Sequence, residues 1–432
     1  MKRKLTPENY AKLLNQECQK YGIDKKKSVA PVLEQLMITP TDKNLLWIIE
    51  YELADAKQLQ QTRPDPFRPT NPINDGIFSG VLLLGAIPPE GLPYIITPES
   101  LLTHMLIASR SGGGKSNLIF LLLSQLLDST PVSIKLFDRK FEYYPLMSNK
   151  NFTYWYSKGV DTNILEPAPG VAFERHISTV AELFGNTHDM RVASRGLLVR
   201  VALILYKKPE FSGSGRYPTL KDVYKHLLSM KIPLISLESR HRETLINRLE
   251  GIFSIFGDHL CSQRQMIWDN FINMSWAIAI DGIPTDYQNF FINVTCAKIM
   301  SYAVVNNLRN NKLKILFCFD ESSSIFRKFQ EQREGNYLLL DYLAQAREFG
   351  IGFVIATQSL SNLPDSVLSN TGIKIMVGGS GSGTDYDIFA SATGMTSEQK
   401  TYLKQLTKPG QACVKDPRYE FPFTMEVPHV VE

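Results

Sequence analysis

The stretch His104-Met-Leu-Ile-Ala-Ser-Arg-Ser-Gly-Gly-Gly-Lys-Ser116 constrains the fold more than any other segment of the chain. Its apolar start reads as a buried strand, its three glycines as a tight loop, and the following Asn117–Leu127 as an apolar helix. A strand, a glycine loop and a helix opening on Lys-Ser form the pattern of a phosphate-binding loop. Gly112, Gly113 and Gly114 lack a Cβ, so the backbone can fold closely around phosphate oxygens. The helix start adds the positive end of its dipole. Lys115 is placed to reach β- and γ-phosphates, and the Ser116 hydroxyl to ligate Mg²⁺. Ser109, Arg110, Ser111 and Asn117 complete the stretch expected to contact nucleotide, and ATP with Mg²⁺ is the expected ligand pair. Ser109 stands where the G-x-x-x-x-G-K-[ST] pattern has its first glycine. That position is nearer the strand than the phosphates, so a small residue suffices.

The rest of the chain supplies a large core for such a loop. It has 432 residues, 44% of them hydrophobic and 21% charged, as in an ordinary globular protein. Five cysteines show no C-x-x-C pair and no zinc spacing, which points to a reducing compartment. No apolar run approaches the about 18 residues a membrane span needs; the best, Phe78–Ile87, is interrupted by Gly80 and Gly85. A cytoplasmic protein without membrane contact is expected. The net charge of +4 is uneven, because residues 1–28 carry an excess of five positive charges and the remainder sums to −1. That distribution excludes a uniformly basic nucleic-acid-coating protein. Nucleic acid would have to use a local surface, such as a channel lining or this basic N-terminal segment, whose Lys25, Lys26 and Lys27 otherwise read as a solvated helix end or turn.

Apolar residues recur at helical spacing through residues 5–60, punctuated by Pro31 and Pro40, so residues 1–61 are expected to form a small helical N-terminal region. Residues 62–77 contain four prolines and read as a linker. Residues 78–432 are expected to form one α/β domain, since strand and helix patterns alternate over residues 100–380 and imply a mostly parallel sheet with helices on both faces. The apolar runs Met105–Ala108, Ile134–Phe137, Ala277–Ile280, Ile315–Phe319, Gly352–Ala356 and Lys374–Val377 are its candidate central strands. A helical insert is expected at about 165–255, and two short strands, Gln411–Val414 and Phe421–Val427, near the end.

Lys314-Ile-Leu-Phe-Cys-Phe-Asp320-Glu321 is an apolar strand ending in two acids. Charge appears where a doubly buried strand emerges, at the carboxyl edge that binds ligands in open α/β sheets. Asp320 is expected to hold Mg²⁺ and Glu321 to polarise the water that attacks the γ-phosphate. Gln358, at the end of the next strand, could sense the γ-phosphate, or could simply satisfy a strand-end hydrogen bond. Arg347 ends a helix and would point away from its own site; in a ring it could reach a neighbour's nucleotide, the alternative being a surface salt bridge.

The segments Ile107–Ser116, Phe319-Asp-Glu321, Ala346-Arg-Glu-Phe-Gly350, Ala356-Thr-Gln-Ser359 and Leu363–Ser369 together resemble the HerA/FtsK superfamily of P-loop ATPases, which includes the conjugative coupling proteins. Asp138-Arg-Lys-Phe-Glu-Tyr143 is similar to that family's Asp-Pro-x-Gly-Glu-Tyr turn, and Leu406–Gln411 to its closing Leu-x-Pro-Gly-Glu/Gln segment. The resemblance spans roughly residues 78–428 and implies a RecA-like P-loop NTPase core. It further implies a hexameric ring that moves double-stranded DNA through a central pore, with Lys115, Ser116, Asp320, Glu321 and Gln358 in one site and Arg347 acting in trans. The helical N-terminal region departs from the β-barrel or membrane anchor usual in the family.

The sequence therefore points to a Mg²⁺-dependent ATPase that translocates along double-stranded DNA. Lys207, Lys208 and Arg216 are candidate DNA contacts in the pore. A nucleotide-gated ring scaffold is the alternative, serving a partner effector such as a nuclease through residues 1–61, with protein or peptide remodelling a third. DNA stimulation of ATP turnover separates the first two.

Overall fold

Continuous runs of apolar β-formers build strands buried on both faces, and the structure, a computed structural model, sets them at the centre of one eleven-stranded sheet. The structure describes residues 6–20, 23–24, 29–62, 81–88, 91–156, 160–233, 236–263, 267–326 and 338–430. In chain order the strands are β1 (Leu82–Ile87), β2 (Leu92–Ile96), β3 (Met105–Ala108), β4 (Ser133–Asp138), β5 (Phe152–Tyr156) and β6 (Ser275–Ala279). They continue with β7 (Asn310–Phe319), β8 (Phe349–Thr357), β9 (Ile373–Val377), β10 (Gln411–Lys415) and β11 (Phe423–Glu426).

The sheet order is β2-β1-β11-β10-β9-β3-β8-β7-β4-β6-β5. All pairings from β9 to β5 are parallel, and those from β2 to β9 antiparallel. Helices pack on the faces, and Leu118, Leu122, Ile134, Leu316, Val354 and Ile375 belong to one fully buried cluster. The chain is an α/β protein with a mostly parallel central sheet, as its sequence patterns predict. Every expected central strand is present. Most are longer than the apolar run that signals them, because strand pairing continues where polar residues begin.

Strand β5 was not foreseen. Its sequence, Phe-Thr-Tyr-Trp-Tyr, has no aliphatic run, since an edge strand needs only alternate burial. Between β5 and β6 lie helices Phe173–Thr187, Val192–Tyr206, Leu220–Ser229 and Leu237–Phe256.

By contacts the chain divides into two units, Met1–Arg68 and Pro69–Glu432. The first contains helices Pro7–Lys20, Ala30–Ile38 and Lys43–Thr62 around a core of Leu14, Cys18, Leu33, Leu36, Ile49 and Leu53. Pro31 sits in the first turn of its helix, where no intrahelical partner for an N–H is lost. Residues 63–77 of the proline-rich stretch lie outside the described residues, as do Lys25, Lys26 and Lys27. Among the described residues no helix is long and apolar enough to cross a membrane.

Candidate functional site

The phosphate loop leaves β3 at Ser109, which is buried and donates its N–H to the Thr357 carbonyl at 3.1 Å. The Ser109 hydroxyl turns back on the Arg110 carbonyl at 2.8 Å. It lies 2.4 Å from where a Cβ on Gly113 would stand, so the small residue at 109 and the glycine at 113 share one space. Gly112 and Gly114 take φ values of 72° and 106°, conformations a side chain would strain. Helix Lys115–Ser129 starts directly after them and points its free N–H groups into the loop.

The loop is braced from the far end of the sequence. Gly113 accepts a hydrogen bond from the Gly410 N–H at 3.2 Å, and the Arg110 N–H donates to Gly379 at 2.9 Å. The Arg110 guanidinium is tied to the Thr407 carbonyl at 2.7 Å. Gly378 has a φ of 64° and packs so closely that a Cβ would fall 2.3 Å from the Gly113 Cα. Asn117 is committed elsewhere: its side chain donates to the Pro428 carbonyl at 2.8 Å and accepts from the Val430 N–H at 2.8 Å. What Asn117 can offer a nucleotide is thus its backbone. Ser111 is exposed at the loop tip.

Strand β8 separates β3 from β7, so Gln358 emerges between the phosphate loop and the two acids. Lys115 and Asp320, both buried, form an ion pair. Asp320 also accepts from the Tyr143 hydroxyl at 3.1 Å and the Glu321 N–H at 2.9 Å. Burial, then the charge of Asp320, pushes the Tyr143 phenol well above its ordinary value, so Tyr143 stays a donor. Glu321 adopts a left-handed backbone with φ 55° and ψ 49°, a conformation that strains a residue with a Cβ by about 1–2 kcal/mol. Its carboxylate meets the Gln358 amide at 2.5 Å and the Lys140 ammonium. That hydrogen bond with Glu321 raises the Lys140 pKa.

Lys140 belongs to the turn after β4, which the sequence marked by its resemblance alone. Asp138 organises this turn by accepting from the N–H groups of Lys140 at 3.1 Å, Glu142 at 3.2 Å and Tyr143 at 2.9 Å, and from the Tyr154 hydroxyl at 2.8 Å. Phe141 occupies the position of the family glycine and has a φ of 61°, the dihedral that glycine would provide without strain. Glu142 accepts a hydrogen bond from the Ser116 hydroxyl. The structure therefore brings Lys115, Ser116, Asp320, Glu321 and Gln358 together and adds Lys140, Glu142 and Tyr143. The Gly378-Gly379 pair at the end of β9 was also missed, although two glycines after an apolar strand were a readable signal.

Arg347 lies elsewhere. It is exposed in a single 3₁₀ turn, Ala346–Glu348, directly before β8. Gln358 follows β8, so the nine residues of that strand place Arg347 at the opposite sheet edge, about 30 Å from its own phosphate loop. The guanidinium makes no hydrogen bond or ion pair with any described residue.

The donor set suits a metal-bound triphosphate. One hydroxyl and one carboxylate beside a glycine loop are the oxygen ligands Mg²⁺ takes when phosphates supply the rest. A family model described as the central domain of the helicase HerA matches residues 83–299, half of the chain. The chain belongs to the HerA family.

With it the chain joins the HerA/FtsK-type P-loop ATPases. The DNA double-strand break repair helicase HerA of Sulfurisphaera tokodaii is 22% identical over 323 residues, which cover 71% of this chain and 61% of that protein. The chain thus spans about three fifths of the length of this curated HerA relative. VirB4 of Thermoanaerobacter pseudethanolicus superposes with a TM-score of 0.61 at 15% identity, over 83% of this chain and 98% of that one. The plasmid coupling protein TrwB, solved with the ATP analogue ADPNP, gives 0.60 at 12% identity, over 83% of this chain and 91% of that one. Both likenesses concern the fold.

Proposed function

We propose that this HerA-family chain is an ATP-driven motor that assembles into a ring, six-membered by family analogy, and moves double-stranded DNA. The observation that carries the reading is the division of the site between two sheet edges. The phosphate loop, the acids and Gln358 share one edge, and Arg347 occupies the other. Arg347 can then reach a nucleotide only across a subunit boundary.

In this reading Gly112–Ser116, flanked by Ser109, Arg110, Ser111 and the backbone of Asn117, hold the phosphates of ATP. Lys115 exchanges its partner Asp320 for the β- and γ-phosphates. Ser116 and Asp320 hold Mg²⁺, which when bound neutralises charge developing on the phosphate oxygens. Glu321 takes a proton from the attacking water. Arg347 of the neighbouring subunit stabilises the charge of the transition state, as arginines supplied in trans do in other P-loop enzymes. Gln358 bonds Glu321 directly, so it orients the base and registers departure of the γ-phosphate through it. Loss of that phosphate releases Gln358 and the neighbour's arginine, and the subunits shift. DNA is gripped through its phosphates, so binding tolerates sequence and weakens with salt. The exposed Lys207, Lys208 and Arg216 are proposed contacts.

ATP turnover measured with and without long duplex DNA, alongside particle imaging with a slowly hydrolysed analogue, tests the proposal. Stimulation of several-fold on closed rings supports it; a solitary chain without affinity for ATP removes it. A second reading, a nucleotide-gated scaffold, is favoured by the separate helical unit, where Trp47 is 66% and Tyr51 62% exposed on one helix face. Rings that hydrolyse ATP indifferently to DNA and retain a partner effector through that unit select the scaffold.

A further inference from the structure

His104 is buried immediately before β3, five residues before Ser109, and both ring nitrogens are engaged. Nδ1 accepts the Phe353 N–H at 3.2 Å, which leaves Nε2–H to donate to the Leu343 carbonyl at 2.8 Å. The ring also meets Phe353 edge-on, with centroids 5.2 Å apart. Leu343 precedes Arg347 by four residues on helix Leu338–Gln345, and Phe353 follows it by six on β8. One imidazole thus staples the chain on both sides of the turn that carries Arg347.

The staple is specific in its chemistry. Leu343 lies in the last turn of its helix, where carbonyls lack an intrahelical donor, and His104 supplies one. The backbone of His104, at φ 61° and ψ 152°, lies in a region essentially reserved for glycine, so a side chain is retained there against strain. Burial depresses the imidazole pKa to about 4, and the positive charge of Arg347 adds to that, so the neutral tautomer both bonds require persists near neutrality. Residue 104 also directly precedes the strand that delivers the phosphate loop, which makes the path from Ser109 to Arg347 a continuous run of backbone and hydrogen bonds.

We propose that His104 is a positioning residue that fixes the place from which Arg347 is presented to the neighbouring subunit and ties that place to the subunit's own phosphate loop. The inference rests on the trans role proposed for Arg347.

The test is a mixed-ring assay with three variants, His104→Gln, Arg347→Ala and Lys115→Ala. Alone, His104→Gln binds a fluorescent ATP analogue as wild type does but turns over about 10–100-fold less, the loss expected from a catalytic group displaced by about 1 Å. Lys115→Ala subunits bind no ATP yet present an intact Arg347. Mixing them with His104→Gln should raise turnover per His104→Gln subunit several-fold, and mixing them with Arg347→Ala should do the same. Rescue of Arg347→Ala without rescue of a folded His104→Gln overturns the role of His104. So does wild-type turnover by His104→Gln alone. Failure to rescue Arg347→Ala overturns instead the trans reading beneath it. If His104→Gln does not fold, His104→Asn enters the same mixtures and is judged by the same outcomes.

Discussion

Replacing Gly378 by alanine should disable the phosphate loop from more than 260 residues away in sequence. Two contributions add at this position. The φ of 64° strains any residue with a Cβ, by about 1–2 kcal/mol. The new methyl would also stand 2.3 Å from the Gly113 Cα and 2.4 Å from its carbonyl oxygen, neither of which is the tip of a flexible side chain. Overpacking of this kind costs about 1–3 kcal/mol. Together they predict a loss of roughly 2–5 kcal/mol, and a fall in melting temperature of roughly 4–10 °C. If the strain is relieved by shifting Gly113, the loop geometry is lost with it, and each 1.4 kcal/mol of that shift weakens nucleotide binding about tenfold. Gly394→Ala is the control: its φ is 69°, but no atom lies within 4 Å of the added Cβ. It should lose about 1 kcal/mol and bind ATP normally. Thermal melting and titration with a fluorescent ATP analogue read both effects. Gly378→Ala melting with the control and binding ATP as wild type does would refute the packing argument.

Glu321→Gln should keep ATP affinity while hydrolysis falls about 10²–10⁴-fold; turnover equal to wild type would take the general base away from Glu321. Lys135 is fully buried on β4, donates to the Phe271 carbonyl at 2.7 Å, and is driven by burial down to about 6. Between about pH 6 and the unfolded value near 10.4, the unfolded chain binds a proton that the folded chain lacks. Stability should therefore rise with pH across that window, by up to about 1.4 kcal/mol per pH unit from this group, and level off below pH 6. Urea unfolding at pH 7, 8 and 9 should show a steeper rise in wild type than in Lys135→Met. Parallel slopes would mean that Lys135 stays charged inside the fold.

Much of the core was legible because parallel strands buried on both faces must be continuously apolar, and Ile315–Phe319 or Gly352–Ala356 can be little else. The cluster of polar residues at the ends of those strands was legible for the same reason: Asp320, Glu321 and Gln358 are polar where the strand leaves the core. Strand β5 escaped because four aromatic residues and one threonine serve an edge without an aliphatic run. Lys140 escaped because its partner, Glu321, is distant in sequence and meets it only once β4 and β7 pair, and Glu142 because its partner, Ser116, sits at the start of the helix before β4. Asn117 shows the converse limit. Its position beside Ser116 suggests a nucleotide contact, but its amide serves the segment at Pro428 and Val430. Such a pairing between opposite ends of a fold leaves no local trace.

The brace formed by Gly378, Gly379, Thr407 and Gly410 sets an order of events during synthesis. A ribosome completes residues 109–116 long before it reaches the four backbone groups that hold them in shape. The nascent polypeptide should therefore acquire its grip on ATP late, after residue 410 has left the exit tunnel. Premature termination upstream of that point would yield a product bearing every phosphate-binding side chain yet unable to keep the loop in place.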